Sequence, residues 1–157
     1  MLGLTAFRNK GSKNVKLPPL NDKDLKALQA QPLVAKIGTA SRKGDIRITP
    51  IWFGDEGDSF LMNTFEDSGA VRNLRLNPGC SLVIDSQEWP YIGVHYWGTA
   101  TIEGPENDAD AIGRLFAKHF NGDLKAATDY GRQLMGWGKR VFVRFRPQRS
   151  TTWDFRH

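Results

Sequence analysis

A chain of 157 residues, 39% of them hydrophobic and 25% charged, is the size of one domain and long enough to bury a sizeable core. Its single cysteine excludes an internal disulfide, and no apolar run approaches the ~20 residues of a membrane span. The net charge of +5 sits at the two ends, with four cations and no acid in residues 1–20 and six cations against one acid in 138–157, around an acidic middle.

Residues 1–20 are polar and basic and close on Pro18-Pro19, so they read as an N-terminal arm ahead of one domain over 21–157. The opening MLGLTAFRNKG lacks the apolar core and cleavage site of a secretory signal, and a soluble cytoplasmic protein is expected. Asn21 caps a short helix, DKDLKALQA, that Pro32 helps to end. LVAKIGTA (33–40) and DIRITPIWF (45–53) read as strands joined by the turn SRKG. In the second strand Ile46, Ile48 and Pro50 share one face, while Arg47, Thr49 and Ile51 share the other. Pro50 removes a ladder donor and marks an edge or a bulge. GDEGD (54–58) turns the chain into SFLMNT (59–64).

Ser68 then looks like the N-cap of a helix reaching to about Leu76, which Asn77-Pro78-Gly79 stops. CSLVID (80–85) and the long YIGVHYWGTATIEG (91–104) are strands, the second with Gly93 and Gly98 as kinks or bulges. Helices are expected at about 106–120 and 123–135. GKRVFVRFRP (138–147) is a strand with Val141, Val143 and Phe145 on one face, and STTWDF (150–155) is a last, separate extended piece. Strands joined by short turns, with few helices, suggest an antiparallel barrel with helices at its ends or flank.

Chemistry-bearing motifs are sparse. His95, His119 and His157 are far apart and one Cys is present, so no metal-ligand spacing exists and structural roles for His95 and His119 are preferred. No nucleophile elbow and no phosphate-cradling glycine loop occurs, and Cys80 falls in an apolar strand. Asp55, Glu56 and Asp58 are turn residues first. The basic ends carry no nucleic-acid-binding motif; a solvated arm and a basic strand account for them, and a phosphate-bearing ligand suits the C-terminal cluster equally well.

The segment NTFEDSGAVRNLRLNPG (63–79) is the one place where an anion fits local chemistry. A helix N-terminus offers unpaired N–H groups and a positive dipole end. Ser68 can donate its hydroxyl proton, Gly69 lets the backbone approach closely, Arg72 can fold back, and Arg47 can reach across from its strand. Local chemistry alone favours a plainer arrangement, a capped surface helix with Arg72 in solvent and Arg47 paired to an acid.

The ordered set PLVAKIGTA, GDIRITPIWF, FLMNT…S…VRNLRLNP…SLVID, YWGTATIEG and RPQRSTTW resembles the pyridoxamine 5'-phosphate oxidase superfamily, the flavin-binding split barrels. VRNLRLNP most resembles the branch that uses FMN or the deazaflavin F420. The resemblance implies a mainly β (α+β) fold, an antiparallel six- to seven-stranded split β-barrel in Greek-key order with flanking helices. It also implies a homodimer with the cofactor groove at the subunit interface, and an oxidoreductase that transfers hydride to or from a small-molecule substrate. By position, Arg47, Ile48, Thr49, Pro50, Ile51 and Trp52 would run along the isoalloxazine and ribityl chain. Met62 and Asn63 would face the cofactor from the next strand, Ser68 would meet its phosphate with Arg72 nearby, and Trp153 would approach the ring. The family's usual cation after that Ser, at the position of Gly69 or Ala70, is missing, so either Arg47 and Arg72 replace it or FMN binding is weak or absent. Trp52 stands where pyridoxamine 5'-phosphate oxidases carry a substrate-contacting Lys, so that reaction itself is not expected. A non-catalytic flavin- or haem-binding module is the alternative reading.

Overall fold

The computed structural model of the protein describes residues 17–104 and 108–156; residues 1–16 of the expected arm, and His157, lie outside the described residues. The last residue of the expected arm, Leu20, is already part of the core, and its N–H donates to Thr152 Oγ1 at 3.0 Å. Helix α1 (Asp22–Ala30) starts where Asn21 accepts from the Asp24 N–H.

Six strands close into one antiparallel barrel: β1 (Val34–Ala40), β2 (Ile46–Asp55), β3 (Phe60–Phe65), β4 (Gly79–Asp85), β5 (Ile92–Glu103) and β6 (Arg140–Asp154). Around the barrel the order is β1-β2-β3-β6-β5-β4, with β4 returning to pair with β1. That is the expected mainly β, Greek-key barrel at its six-strand limit. Alternation decides which side chains enter it. Val141, Val143 and Phe145 share one face as expected, and that face points inward, into the core with Ala35 and Ile37 of β1, Phe53 of β2 and Met62 of β3. Each large side chain buried here is worth roughly 1.5–3 kcal/mol.

The two C-terminal pieces are one strand. β6 runs unbroken beside β5, and the ladder slips by one residue where Trp97 faces Arg149 and Gly98 faces Pro147. A Cβ at residue 98 would lie 2.1 Å from the Arg146 carbonyl oxygen, so a glycine is required where the strands press together.

Helix α2 (Gly69–Leu76) bridges β3 and β4, with Val71 and Leu74 buried in the barrel core. Helix α3 (Ala109–Phe116) begins at Asp108, which accepts from the Asp110 and Ala111 N–H groups, and tightens into a 3-10 turn at Ala117–Phe120. The single expected helix over this stretch is therefore two. Asn121, at φ 53°, ends the turn before α4 (Leu124–Trp137) starts on Asp123. Helices α3 and α4 cover a second apolar cluster of Ile112, Phe116, Ala127 and Leu134 over Phe142, the outward neighbour of the inward-facing Val141.

β2 and β3 pair only from Phe53↔Met62 to Asp55↔Phe60. Upstream, Pro50, Ile51 and Trp52 part from Asn63, Thr64 and Phe65, while β2 keeps its partner β1 throughout. Pro50 lies at this parting edge, in register with Lys36 of β1 and with no partner on β3. The barrel is split there.

Candidate functional site

Helix α2 starts where the sequence places it. Ser68 Oγ accepts from the Val71 N–H at 3.3 Å, and the Ser68 carbonyl accepts from the Arg72 N–H at 3.1 Å. The N–H groups of Gly69 and Ala70 have no partner among the described residues. The helix is held against β1 by Asn73 Nδ2, which donates to Thr39 Oγ1 at 3.0 Å, and Thr39 is 1% exposed and sits opposite Arg47. This lock had no sequence signal, since a Thr and an Asn 34 residues apart in sequence carry no pattern.

Arg47 is the group that completes the site. Its guanidinium lies on the Gly69 α-carbon, and a Cβ there would meet Arg47 Nε at 2.5 Å and Cζ at 2.6 Å. A cation from β2 thus occupies the space beside the helix N-terminus where the helix itself has none. Arg47, Gly69, Arg72 and Asn73 line one hollow of about 390 Å³, with Ser41, Asp45 and Ile46 on its other side. Neither Arg47 nor Arg72 makes an ion pair among the described residues, so the plainer arrangement with Arg47 bound to an acid is not what forms. Arg75 differs: its Nη2 lies 3.6 Å from Glu66. Asp45 is the one acid in the lining, and it opposes an anion there.

The remaining sequence candidates divide by face. Ile48 is 70% exposed and Pro50 is exposed, whereas Ile51 and Met62 are buried in the core. Asn63 is buried with both ends of its amide engaged, Nδ2 donating to the Val141 carbonyl and Oδ1 accepting from Arg140 Nε. Trp52 stacks on His119 at 3.9 Å and 6° and lies edge-on to Phe116, under α3 and α4. Thr49 is half-buried beside Ile37 of β1. Trp153 packs across Gly93, in register with Asp85 of β4, and lies at the opposite end of the sheet from Arg47 and Thr39. Within one chain, therefore, Arg47, Gly69 and Arg72 come together and Trp153 does not join them.

Burial keeps the other reactive groups quiet. It pushes the Cys80 thiol up to about 12 and the His119 imidazole down to about 4, Lys118 adding to the second effect. His119 Nε2 is buried without a hydrogen-bond partner among the described residues. No metal-binding cluster occurs among the described residues, and none of the described helices is long and apolar enough to cross a membrane. Several of the C-terminal cations already have partners. Arg144 pairs with Glu56 and Glu103, Arg156 with Asp24 and Asp154, Arg149 lies 4.2 Å over the Trp97 ring, and Arg140 is buried.

A family model described as pyridoxamine 5'-phosphate oxidase matches residues 22–154. No curated protein matches the sequence. Among solved structures, the fold is similar to that of a conserved hypothetical protein from Mycobacterium tuberculosis, at 20% identity and a TM-score of 0.73 over 92% of this chain and 91% of that one. It is also similar to an F420 reductase, at 19% identity and a TM-score of 0.62 over 80% and 94% of the two chains. The haem-storage protein HutZ from Vibrio cholerae is similar at 14% identity and a TM-score of 0.65, over 85% and 94%. At these identities the likeness is one of fold.

Proposed function

This chain belongs to the pyridoxamine 5'-phosphate oxidase family, and on that premise we propose that it is an oxidoreductase holding FMN or the deazaflavin F420 by a phosphate at the start of α2. One observation carries the reading: the Arg47 guanidinium, free of any acid among the described residues, lies against Gly69 at that helix N-terminus. The residues fit a phosphate. The Gly69 and Ala70 N–H groups, the Ser68 hydroxyl and two arginines are donors of the kind a phosphate accepts, and the helix end adds up to ~2 kcal/mol. The bound flavin or deazaflavin would supply the hydride chemistry. The protein's part is to hold the phosphate at α2, to support the ring along the parted edges of β2 and β3, and to keep Trp52 rigid through its stack on His119.

The same proposal includes a homodimer. The outer face of β1, β2, β4 and β5 carries Ile46 and Ile48, 69% and 70% exposed, around a shallow hollow of about 640 Å³. An apolar sheet face of this kind suits a second copy, and a partner would bring the distant Trp153 region toward a shared groove. A haem-holding module is the second reading. It is supported by His95, which stands in that hollow with the Arg149 cation nearby and therefore competes with dimerisation for the same face.

Fluorescence titration of cofactor-stripped protein with FMN and F420, beside an absorbance titration with haemin, separates the readings. Saturable binding of FMN or F420, weakened about tenfold or more by Arg47→Ala with unchanged thermal unfolding, is the expected result. Equal binding by the Arg47→Ala variant removes the phosphate site, and binding of haemin alone transfers the case to the haem reading.

A further inference from the structure

The split between β2 and β3 holds a charge that the phosphate site does not use. Arg140 opens β6 and is 5% exposed, yet no carboxylate among the described residues pairs with it. Its Nε donates to Asn63 Oδ1 at 2.8 Å, and its Nη2 to the Asn63 main-chain carbonyl at 3.2 Å. The Phe65 ring lies 4.3 Å from Cζ and fixes the plane of the group. These contacts leave Nη1 without a bond among the described residues. A guanidinium keeps its proton even where burial opposes the charge, as it does here. A buried cation held only by neutral oxygens and a ring is short of its natural counter-charge.

That cation faces a hollow of about 210 Å³ bounded by Pro50, Trp52, Asn63, Phe116, Tyr130 and Arg140, with no acid in its lining. At ~30 Å³ per water in the liquid, the space equals about seven waters. Its lining is mixed: one fixed cation, polar groups from Asn63, Thr64 and Tyr130, and the apolar side chains of Trp52, Phe116 and Leu134. A phosphate would bring a second negative charge to a hollow with a single fixed cation, at a desolvation cost. A carboxylate on a short carbon chain fits both parts, because its two oxygens match the edge of a guanidinium and its carbon end matches the walls.

We propose that this hollow binds the carboxylate of a small organic acid, anchored by Arg140. The apolar remainder lies among Trp52, Phe116 and Tyr130. The site stands on its own observation and does not need a flavin. If a ring does lie along β2 and β3, the acid beside it is the substrate, and that extension alone rests on the reading above.

The test uses ¹⁵N-labelled, cofactor-free protein and follows the Arg140 Nε–H resonance during titration with sodium propionate, propionamide and sodium chloride at matched ionic strength. Propionate is expected to shift the resonance saturably. The neutral amide should bind at least about tenfold more weakly, the difference made by a charge-assisted hydrogen bond. Chloride should leave the resonance in place. Equal shifts with propionate and propionamide would show that the hollow reads shape and not charge. No saturable shift, or saturation by chloride alone, would also overturn the proposal. Arg140→Gln should abolish the propionate response; should that variant fail to fold, the comparison of ligands on the wild-type protein still decides. Repeating the titration with FMN or F420 added separates the two ideas, since propionate binding without flavin binding sinks only the flavin reading.

Discussion

Arg47 reaches the start of α2 because residue 69 has no side chain. The atoms that a Cβ there would strike are the far end of a flexible Arg, not backbone, so Gly69→Ala displaces the guanidinium and leaves the fold alone. The expected result is FMN or F420 binding weakened by about tenfold, with the thermal midpoint unchanged; tight binding by that variant would mean that Arg47 is not the anchor. His119 makes a second prediction. The folded protein holds its imidazole at about 4 against an ordinary 6.5, first through burial and then through the Lys118 charge. The unfolded chain takes up this proton as pH falls below about 6.5 and the folded chain does not. Stability is therefore complete above that range, falls between about pH 6.5 and 4, and is flat below. Replacing the ring by His119→Phe, which keeps an aromatic partner for Trp52, should flatten this part of the stability–pH curve measured by urea unfolding. An unchanged slope would assign the acid sensitivity to another group. The family resemblance placed Trp52 along the ring; its aromatic partners in the fold come from helices more than sixty residues on, which no local pattern announces.

At the scale of elements, most of the fold was legible. Alternating apolar residues located the strands, and Asn21 and Ser68 announced two helix starts, because these signals depend on neighbours within a few residues. The break expected between 147 and 150 was misplaced for a reason visible in the ladder. Pro147 and Gln148 read locally as an interruption, but β6 carries Gln148 as one extra residue opposite the Trp97–Gly98 step, and the glycine at 98 leaves room for the close approach, so β6 stays whole. Gly98→Ala would press a methyl into the Arg146 carbonyl, which is backbone and has no rotamer to escape into. A loss of about 1–3 kcal/mol in urea unfolding is expected; a neutral substitution would mean that the strands separate easily at this point. Pro50 was a fair warning of the split. What the sequence did not carry is that β3 also leaves β2 there, opening the space that Arg140 faces from β6.

For the whole molecule, the exposed isoleucines of β2 set the next expectation. Ile48→Lys places a charge in the centre of the apolar face, and light scattering after size exclusion should show a dimer becoming a monomer. A variant that stays dimeric places the subunit contact elsewhere. The barrel itself follows from the sequence alone: strand alternation, capped helices and the order of segments determine one antiparallel, mainly β domain, because each rests on short-range periodicity and local hydrogen bonds. The sites were decided only in three dimensions. Arg47 meets Gly69 across the β2–α2 junction, and Arg140 meets Asn63 at a separation of 77 residues. Such contacts have no period and no motif, so only closure of the barrel brings each charge to its place.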